Sequence, residues 1–99
     1  MRQKLSLNEK ALEELSAALA KAADSELIKD FLNSLLTEYE LAEVSTRWAL
    51  VRLIDEGMSQ RKIADALGLS LCKITRGSRE LKKDNSSFQK LIDIYKQNR

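Results

Sequence analysis

The sequence predicts an all-α fold of six helices. Three observations carry that prediction. Apolar residues recur at the i, i+3, i+4, i+7 spacing of a helix face along almost the whole chain. Cap residues punctuate those runs at short intervals. No segment alternates at period two over strand length, and the 99 residues contain no proline to break a helix.

Each element has its own signals. Ser6-Leu7-Asn8-Glu9 reads as a capping box, in which a hydroxyl and a carboxylate satisfy each other's free backbone N–H groups. Leu12, Leu15, Leu19 and Ala22 follow at helical spacing. Asp24 or Ser25 caps a second helix with a wide apolar face of Leu27, Ile28, Phe31, Leu32, Leu35 and Leu36. Thr37-Glu38-Tyr39-Glu40 is a second capping box. It opens a long helix carrying Leu41, Val44, Trp48, Val51 and Ile54, with Leu50 and Leu53 beside them, and Gly57 ends it. Ser59 caps a short helix that runs to Leu67 and stops at Gly68. Ser70 caps the next, which reaches Lys82. Ser86-Ser87-Phe88-Gln89 starts the last, with Phe88, Leu91, Ile92 and Tyr95 on its inner face. The chain therefore divides as one domain, 1–99: dimerisation helices in 1–57, a two-helix unit in 58–83 and a C-terminal packing helix in 84–99. Dimerisation is expected because the first three helices carry more apolar face than so short a chain can bury in its own interior. A second copy would cover it.

Composition excludes several classes. With no histidine and a single cysteine, the chain has neither the commonest general base nor a Cys/His metal set. No glycine-rich phosphate loop or nucleophile–base pair is present, so an enzyme is not expected. No apolar run is long enough to span a membrane, and no apolar stretch of a secretory signal follows Met1. The expected location is the cytoplasm. The net charge of +2 hides an asymmetry: residues 1–46 sum to −4, residues 47–83 to +5 and residues 84–99 to +1. The basic segment points to an anionic partner met by one part of the surface.

That segment contains a helix-turn-helix pattern over 59–76. Ile63 and Leu67 face inward, Ala64 is small where a second helix crosses, Gly68 supplies a positive φ for the turn, and Leu69 plugs the corner. Leu71, Ile74 and Leu81 form the inner stripe of the second helix, with Gly77 and Ser78 as small residues nearby. The outer face carries Lys73, Thr75, Arg76, Arg79, Lys82 and Lys83. A cationic helix held by another fits the major groove of double-stranded DNA. Ser70, Leu71, Cys72, Lys73 and Thr75, near its N-terminus, are the expected base readers, with Arg79 on the same outer face. Gln60 and Arg61 reach the backbone or a guanine edge, and Lys82 and Lys83 meet phosphate.

The run Ile74-Thr75-Arg76-Gly77-Ser78 with Leu81-Lys82, together with Met58-Ser59-Gln60-Arg61, Leu36-Thr37 and Arg47, resembles the tryptophan repressor family. The resemblance covers residues 34–83. It implies an intertwined six-helix homodimer that represses transcription by binding operator DNA, with L-tryptophan as corepressor. By that similarity, Arg76 pairs with the ligand carboxylate. Arg47 and Arg76 sandwich the indole ring, and Thr37 adds a hydroxyl. Ser34 and Leu36 offer carbonyls to the ammonium, Leu50 lines the pocket and Gly77 leaves room for the ring. Glu80 stands where the family has serine, Lys73 where it has threonine and Arg79 where it has asparagine. Glu80 either accepts from the ligand ammonium or pairs with Arg76 at i, i+4. The alternative function is a helix-turn-helix DNA-binding protein not gated by tryptophan, either a constitutive regulator or a subunit of a transposition system.

Overall fold

The structure, a computed structural model, describes residues 5–97. Its helices are α1 (Glu9–Ala22), α2 (Ser25–Leu35), α3 (Glu38–Asp55), α4 (Gln60–Leu67), α5 (Leu71–Lys82) and α6 (Ser87–Gln97). Among the described residues there is no strand. The chain forms two compact units that divide between residues 38 and 39.

In the N-terminal unit α1 and α2 contact each other. Helix α1 starts later than the Ser6 box implies. Asn8 is the N-cap, its Oδ1 accepting the Ala11 N–H at 3.0 Å. Asparagine and serine are about equally good N-caps, and here the one two residues nearer the apolar run prevails. Asp24 caps α2 through the N–H groups of Glu26 and Leu27. Neither helix buries a residue: Leu12 is 49% exposed, Leu27 55% and Leu35 52%. The wide apolar face read from the sequence is only partly covered: Ile28, Phe31, Leu32 and Leu36 are half-buried, while Leu27 and Leu35 are exposed.

The C-terminal unit has a core of two clusters. Leu50, Ile63 and Ile74 bring α3, α4 and α5 together, with Leu53, Ile54, Ala64, Leu67 and Leu69 packed around them. Val51, Leu81 and Ile92 join α3, α5 and α6, with Trp48, Ile54 and Phe88 against them. Leu50 and Val51 are sequence neighbours, so they project about 100° apart around α3 and serve different clusters. Local chemistry sets the turns. Gly57, at φ +89°, closes α3 while the N–H groups of Gly57 and Met58 donate to the carbonyls of Ile54 and Leu53. Gly68, at φ +65°, does the same for α4: its N–H and that of Leu69 both donate to Ala64 O. Thr37 immediately precedes α3, the place its box requires.

Two expectations about buried faces are corrected. Leu71 is 58% exposed and leaves the inner stripe of α5 to Ile74, Ser78 and Leu81, because cover over that helix starts one turn in, at Ile74. On α6, Ile92 is fully buried but Leu91 and Tyr95 are 56% and 49% exposed. A helix held along one narrow line buries fewer residues than its apolar pattern offers. The Ser86 box forms by half. The Ser86 hydroxyl accepts the Gln89 N–H at 3.2 Å, but the Gln89 amide donates to Asp55 and Asp93 instead of turning back. Asp55 also pairs with Lys96, so the end of α3 is fastened to α6 at two points. Those bonds hold the Asp55 carboxyl below its ordinary pKa, Lys96 first and Gln89 second.

Candidate ligand cleft and nucleic-acid interface

Helix α4, the three residues Gly68, Leu69 and Ser70, and helix α5 form a helix-turn-helix unit, with Ile63 and Ile74 fully buried where the helices meet. Ser59 caps α4 by accepting the Lys62 N–H at 3.3 Å, and Ser70 caps α5 by accepting the Lys73 N–H at 3.4 Å. Both helices therefore begin at fixed points, with Gln60 and Arg61 opening α4 and Leu71, Cys72 and Lys73 opening α5. All five side chains are exposed, as are Thr75, Arg79, Lys82 and Lys83. Thr75 spends its hydroxyl proton on Leu71 O at 2.8 Å, keeping only acceptor capacity for a partner. Gln60, Thr75, Ser78, Arg79, Lys82 and Lys83 line an open hollow of about 390 Å³ with three cations on its rim. The structure thus brings the start of α4 and the outer face of α5 to one surface.

On another face of α5 lies a cleft of about 510 Å³. Tyr39, Ala42, Glu43, Thr46, Arg47 and Leu50 enter from α3, and Lys73, Arg76, Gly77 and Glu80 from α5. Leu67, Leu69, Val51 and Phe88 complete the lining. Of the residues assigned to a ligand from the sequence, Arg47, Leu50, Arg76, Gly77 and Glu80 meet here. Ser34 and Leu36 stand at the end of α2 and Thr37 just before α3, and all three belong to the N-terminal unit.

The charges inside the cleft are paired selectively. Glu43 is shared: Oε2 lies 3.4 Å from Arg47 Nη2 and Oε1 lies 3.5 Å from Lys73 Nζ. Glu80 pairs with Lys83 at 3.0 Å. That answers the i, i+4 alternative, since the Arg76–Glu80 pair does not form. Two cations stand within reach of Glu80, one turn to either side, and Lys83, with its long flexible stem, is the one it takes. Among the described residues Arg76 has no ion pair, so the cleft keeps one cation available for an anion. Gly77 does more than leave room. A Cβ at this position would stand 2.8 Å from Leu50 Cδ2 and 3.2 Å from its Cγ. The glycine lets α3 and α5 approach until Leu50 fills the space, and Leu50 is only 4% exposed.

Sequence reasoning assigned Lys73 to DNA alone and did not single out Glu43. A weak signal existed, since Glu43 lies four residues before Arg47 on one helix. Its second contact, to Lys73 on α5, crosses thirty positions and left no local trace. Among the described residues no group of His, Cys, Asp or Glu could hold a metal ion, and no helix is long and apolar enough to cross a membrane.

An all-α chain with a capped helix-turn-helix, a cationic outer face and a charged cleft behind the second helix defines a class, the helix-turn-helix proteins. Comparison with known proteins narrows it. The family model of the Trp repressor protein matches residues 10–96. A Trp operon repressor homolog of Xylella fastidiosa (strain M23) is 35% identical over 78 residues, covering 78% of this chain and 85% of the relative. A Trp operon repressor homolog of Chlamydia trachomatis serovar L2 is 31% identical over 74 residues, covering 74% of this chain and 79% of the relative. The crystal structure of a TrpR like protein from Eubacterium eligens shares the fold, with a TM-score of 0.76 at 24% identity over 87% of this chain and 89% of that one. The chain belongs to the Trp repressor family, a family of DNA-binding transcription repressors.

Proposed function

We propose that the chain is a homodimeric repressor that binds double-stranded operator DNA through α4 and α5 and takes L-tryptophan, or a closely related amino acid, as corepressor in the cleft between α3 and α5. The observation that carries this reading is the convergence of Arg47, Leu50, Arg76, Gly77 and Glu80 on one cleft behind the DNA-facing helix. An amino acid needs a cation for its carboxylate, and Arg76 is unpaired among the described residues. It needs an acceptor for its ammonium, and Glu80 stands one helical turn away. An indole needs flat or apolar surfaces, which the guanidinium of Arg47 and the side chain of Leu50 offer. The volume lies within the range of small-molecule sites, about 300–1,000 Å³. Ser34, Leu36 and Thr37 are carried as ligand contacts by the family resemblance alone.

Residues 1–57 would supply the dimer interface, 58–83 would read DNA and 84–99 would pack on them. The incompletely covered faces of α1 and α2, which bury no residue, support dimerisation. The corepressor would act through its preference for the dimer geometry that sets two DNA-facing helices about 34–36 Å apart. The setting would be the cytoplasm, with neither a metal nor a membrane involved.

Calorimetric titration with L-tryptophan tests the ligand. Saturable heat is expected, with affinity falling about tenfold or more in Arg47→Ala, a loss of about 1.4 kcal/mol. Absence of saturable heat refutes the corepressor. Sedimentation at low micromolar concentration tests the dimer; a species of 11.2 kDa alone refutes it. A second reading, DNA binding without a corepressor, is favoured by one observation: Arg47 and Glu80 already have partners in Glu43 and Lys83. Equal duplex affinity with and without L-tryptophan decides for it.

A further inference from the structure

Glu43 occupies an unusual position for an acid. It is half-buried on α3, yet it reaches Lys73, an exposed side chain in the first turn of α5 and one of those expected to meet DNA. Lys73 lies in the first turn of α5, its backbone N–H bound by the Ser70 cap, between Cys72 and Ile74. From there an unrestrained lysine reaches outward, to a phosphate or a base edge. In this structure its ammonium instead turns back over the cleft to Glu43, while its side chain stays 58% exposed. Glu43 has a second cation, Arg47, on its other oxygen, so its carboxylate is held in place from its own helix and presents a fixed anion to Lys73. The contact is therefore an internal stand-in for a phosphate.

We propose that Glu43 sets the affinity threshold for DNA by competing with it for Lys73. The proposal rests on the reading that α5 faces duplex DNA. To bind, the protein exchanges the Lys73–Glu43 pair for a Lys73–phosphate pair and leaves Glu43 to Arg47. Ion pairs of this exposure are worth up to about 1 kcal/mol, small enough for DNA to break and large enough to matter. Glu43 touches no DNA itself; it is a positioning residue that acts through Lys73.

The test measures binding of a random-sequence duplex of about thirty base pairs by fluorescence anisotropy across a salt series, for wild type, Glu43→Gln, Lys73→Met and the double variant. Glu43→Gln keeps the size of the side chain and removes its charge. It is expected to tighten binding about 2- to 5-fold at low salt. The slope of log affinity against log salt should stay near the wild-type value, because Lys73 meets phosphate in both complexes, and should flatten by about 0.9 in Lys73→Met, which neutralises one phosphate fewer. A merely structural role moves the melting temperature and does not tighten binding. In the Lys73→Met background the same substitution should leave affinity unchanged, which separates release of Lys73 from the general loss of a negative charge. Equal tightening in both backgrounds overturns the proposal, as does a wild-type slope in Lys73→Met. Wild type that binds no duplex even at low salt overturns the DNA reading and the proposal with it, whereas wild-type binding with no response to Glu43→Gln overturns the proposal alone.

Discussion

Replacing Gly77 by alanine places a methyl group where α3 and α5 come closest. The new carbon would lie 2.8 Å from Leu50 Cδ2, 3.2 Å from Leu50 Cγ and 3.7 Å from Ile54 Cδ1. Only the last is an ordinary contact. Leu50 is 4% exposed and wedged against Ile63 and Ile74, so it cannot swing aside without disturbing the cluster that holds the helix-turn-helix together. Overpacking of this kind costs about 1–3 kcal/mol. Alanine is the better helix former by about 1 kcal/mol, and Gly77 has ordinary helical φ, so that gain is real. The net expectation is a loss of about 0–2 kcal/mol. The sign of the interaction with Leu50 is more informative than that net value. Leu50→Ala alone should cost about 2–5 kcal/mol through the cavity it leaves. In the double variant the added methyl enters that cavity instead of striking a side chain. The double variant should therefore be more stable than the sum of the single losses by about 1 kcal/mol or more. Urea unfolding of the four proteins at one protein concentration measures this, since association would make stability depend on concentration. Additive losses, or a Gly77→Ala protein more stable than wild type, would refute the view that Leu50 and Gly77 are matched surfaces.

Three further outcomes are expected. Asp55→Asn should lower stability by about 1 kcal/mol at neutral pH by weakening the tie to Lys96. The folded-state pKa of Asp55 is lowered, so its contribution is complete above the unfolded value and lost as pH falls through the folded one. Wild type and variant should then converge in thermal melts taken below the ordinary carboxylate value of 3.8, and a constant gap down to strong acid contradicts this. Ala23, the C-cap of α1, has φ +48°, a left-handed conformation that burdens a residue with a Cβ by about 1–2 kcal/mol. Ala23→Gly should raise the urea midpoint by an amount worth about 0.5–1 kcal/mol after the glycine's greater freedom when unfolded is subtracted, and a lower midpoint would contradict that geometry. Ser70→Ala should cost about 0.5–1 kcal/mol, the low end for an N-cap because the bond to Lys73 N is 3.4 Å long, which hydrogen exchange at the first turn of α5 would register as faster opening there than at Ile74.

What could be read from the sequence was what is decided locally. Gly57 and Gly68 end helices because a backbone that needs positive φ selects glycine, whatever surrounds it. The caps at Ser59, Ser70 and Asp24 are decided by side chains two or three residues from the groups they satisfy. The pairing of Ile63 with Ile74 follows from helical spacing once the turn is known. The misreadings share the opposite character. Asn8 and Ser6 are both competent caps, and only the packing of α1 distinguishes them. Leu71 and Leu91 have the right spacing for burial but lie beyond the area that their neighbours cover, and Tyr95 is covered only in part, by Trp48 and Arg52. Glu80 had two cations within a turn, and spacing alone does not choose between them. Glu43 meets Lys73 only after α3 and α5 pack, and Gly77 is needed for a leucine that sits twenty-seven residues earlier in the chain.

Helix α5 carries the core, the cleft and the surface proposed to face DNA on three stripes fixed by one period. Ile74, Ser78 and Leu81 face inward. Lys73, Arg76, Gly77 and Glu80 line the cleft, and Thr75, Arg79 and Lys82 line the hollow beside Gln60. Residues on different stripes cannot move independently while the helix stays intact. Consider an occupant of the cleft that presses on Arg76 and turns α5 about its axis by about 10°. With side chains extending about 5–6 Å from that axis, the tips of Thr75 and Arg79 travel about 1 Å. That displacement exceeds the 2.7–3.2 Å window within which a hydrogen bond keeps its strength. The inner stripe resists such a turn, because Ile74 is fully buried against Ile63 and Leu50 and close-packed interiors deform in steps, not smoothly. A small ligand therefore needs no large hinge to alter contacts with DNA. On the proposed function it has only to bias how α5 seats against Leu50, at the close approach that Gly77 permits.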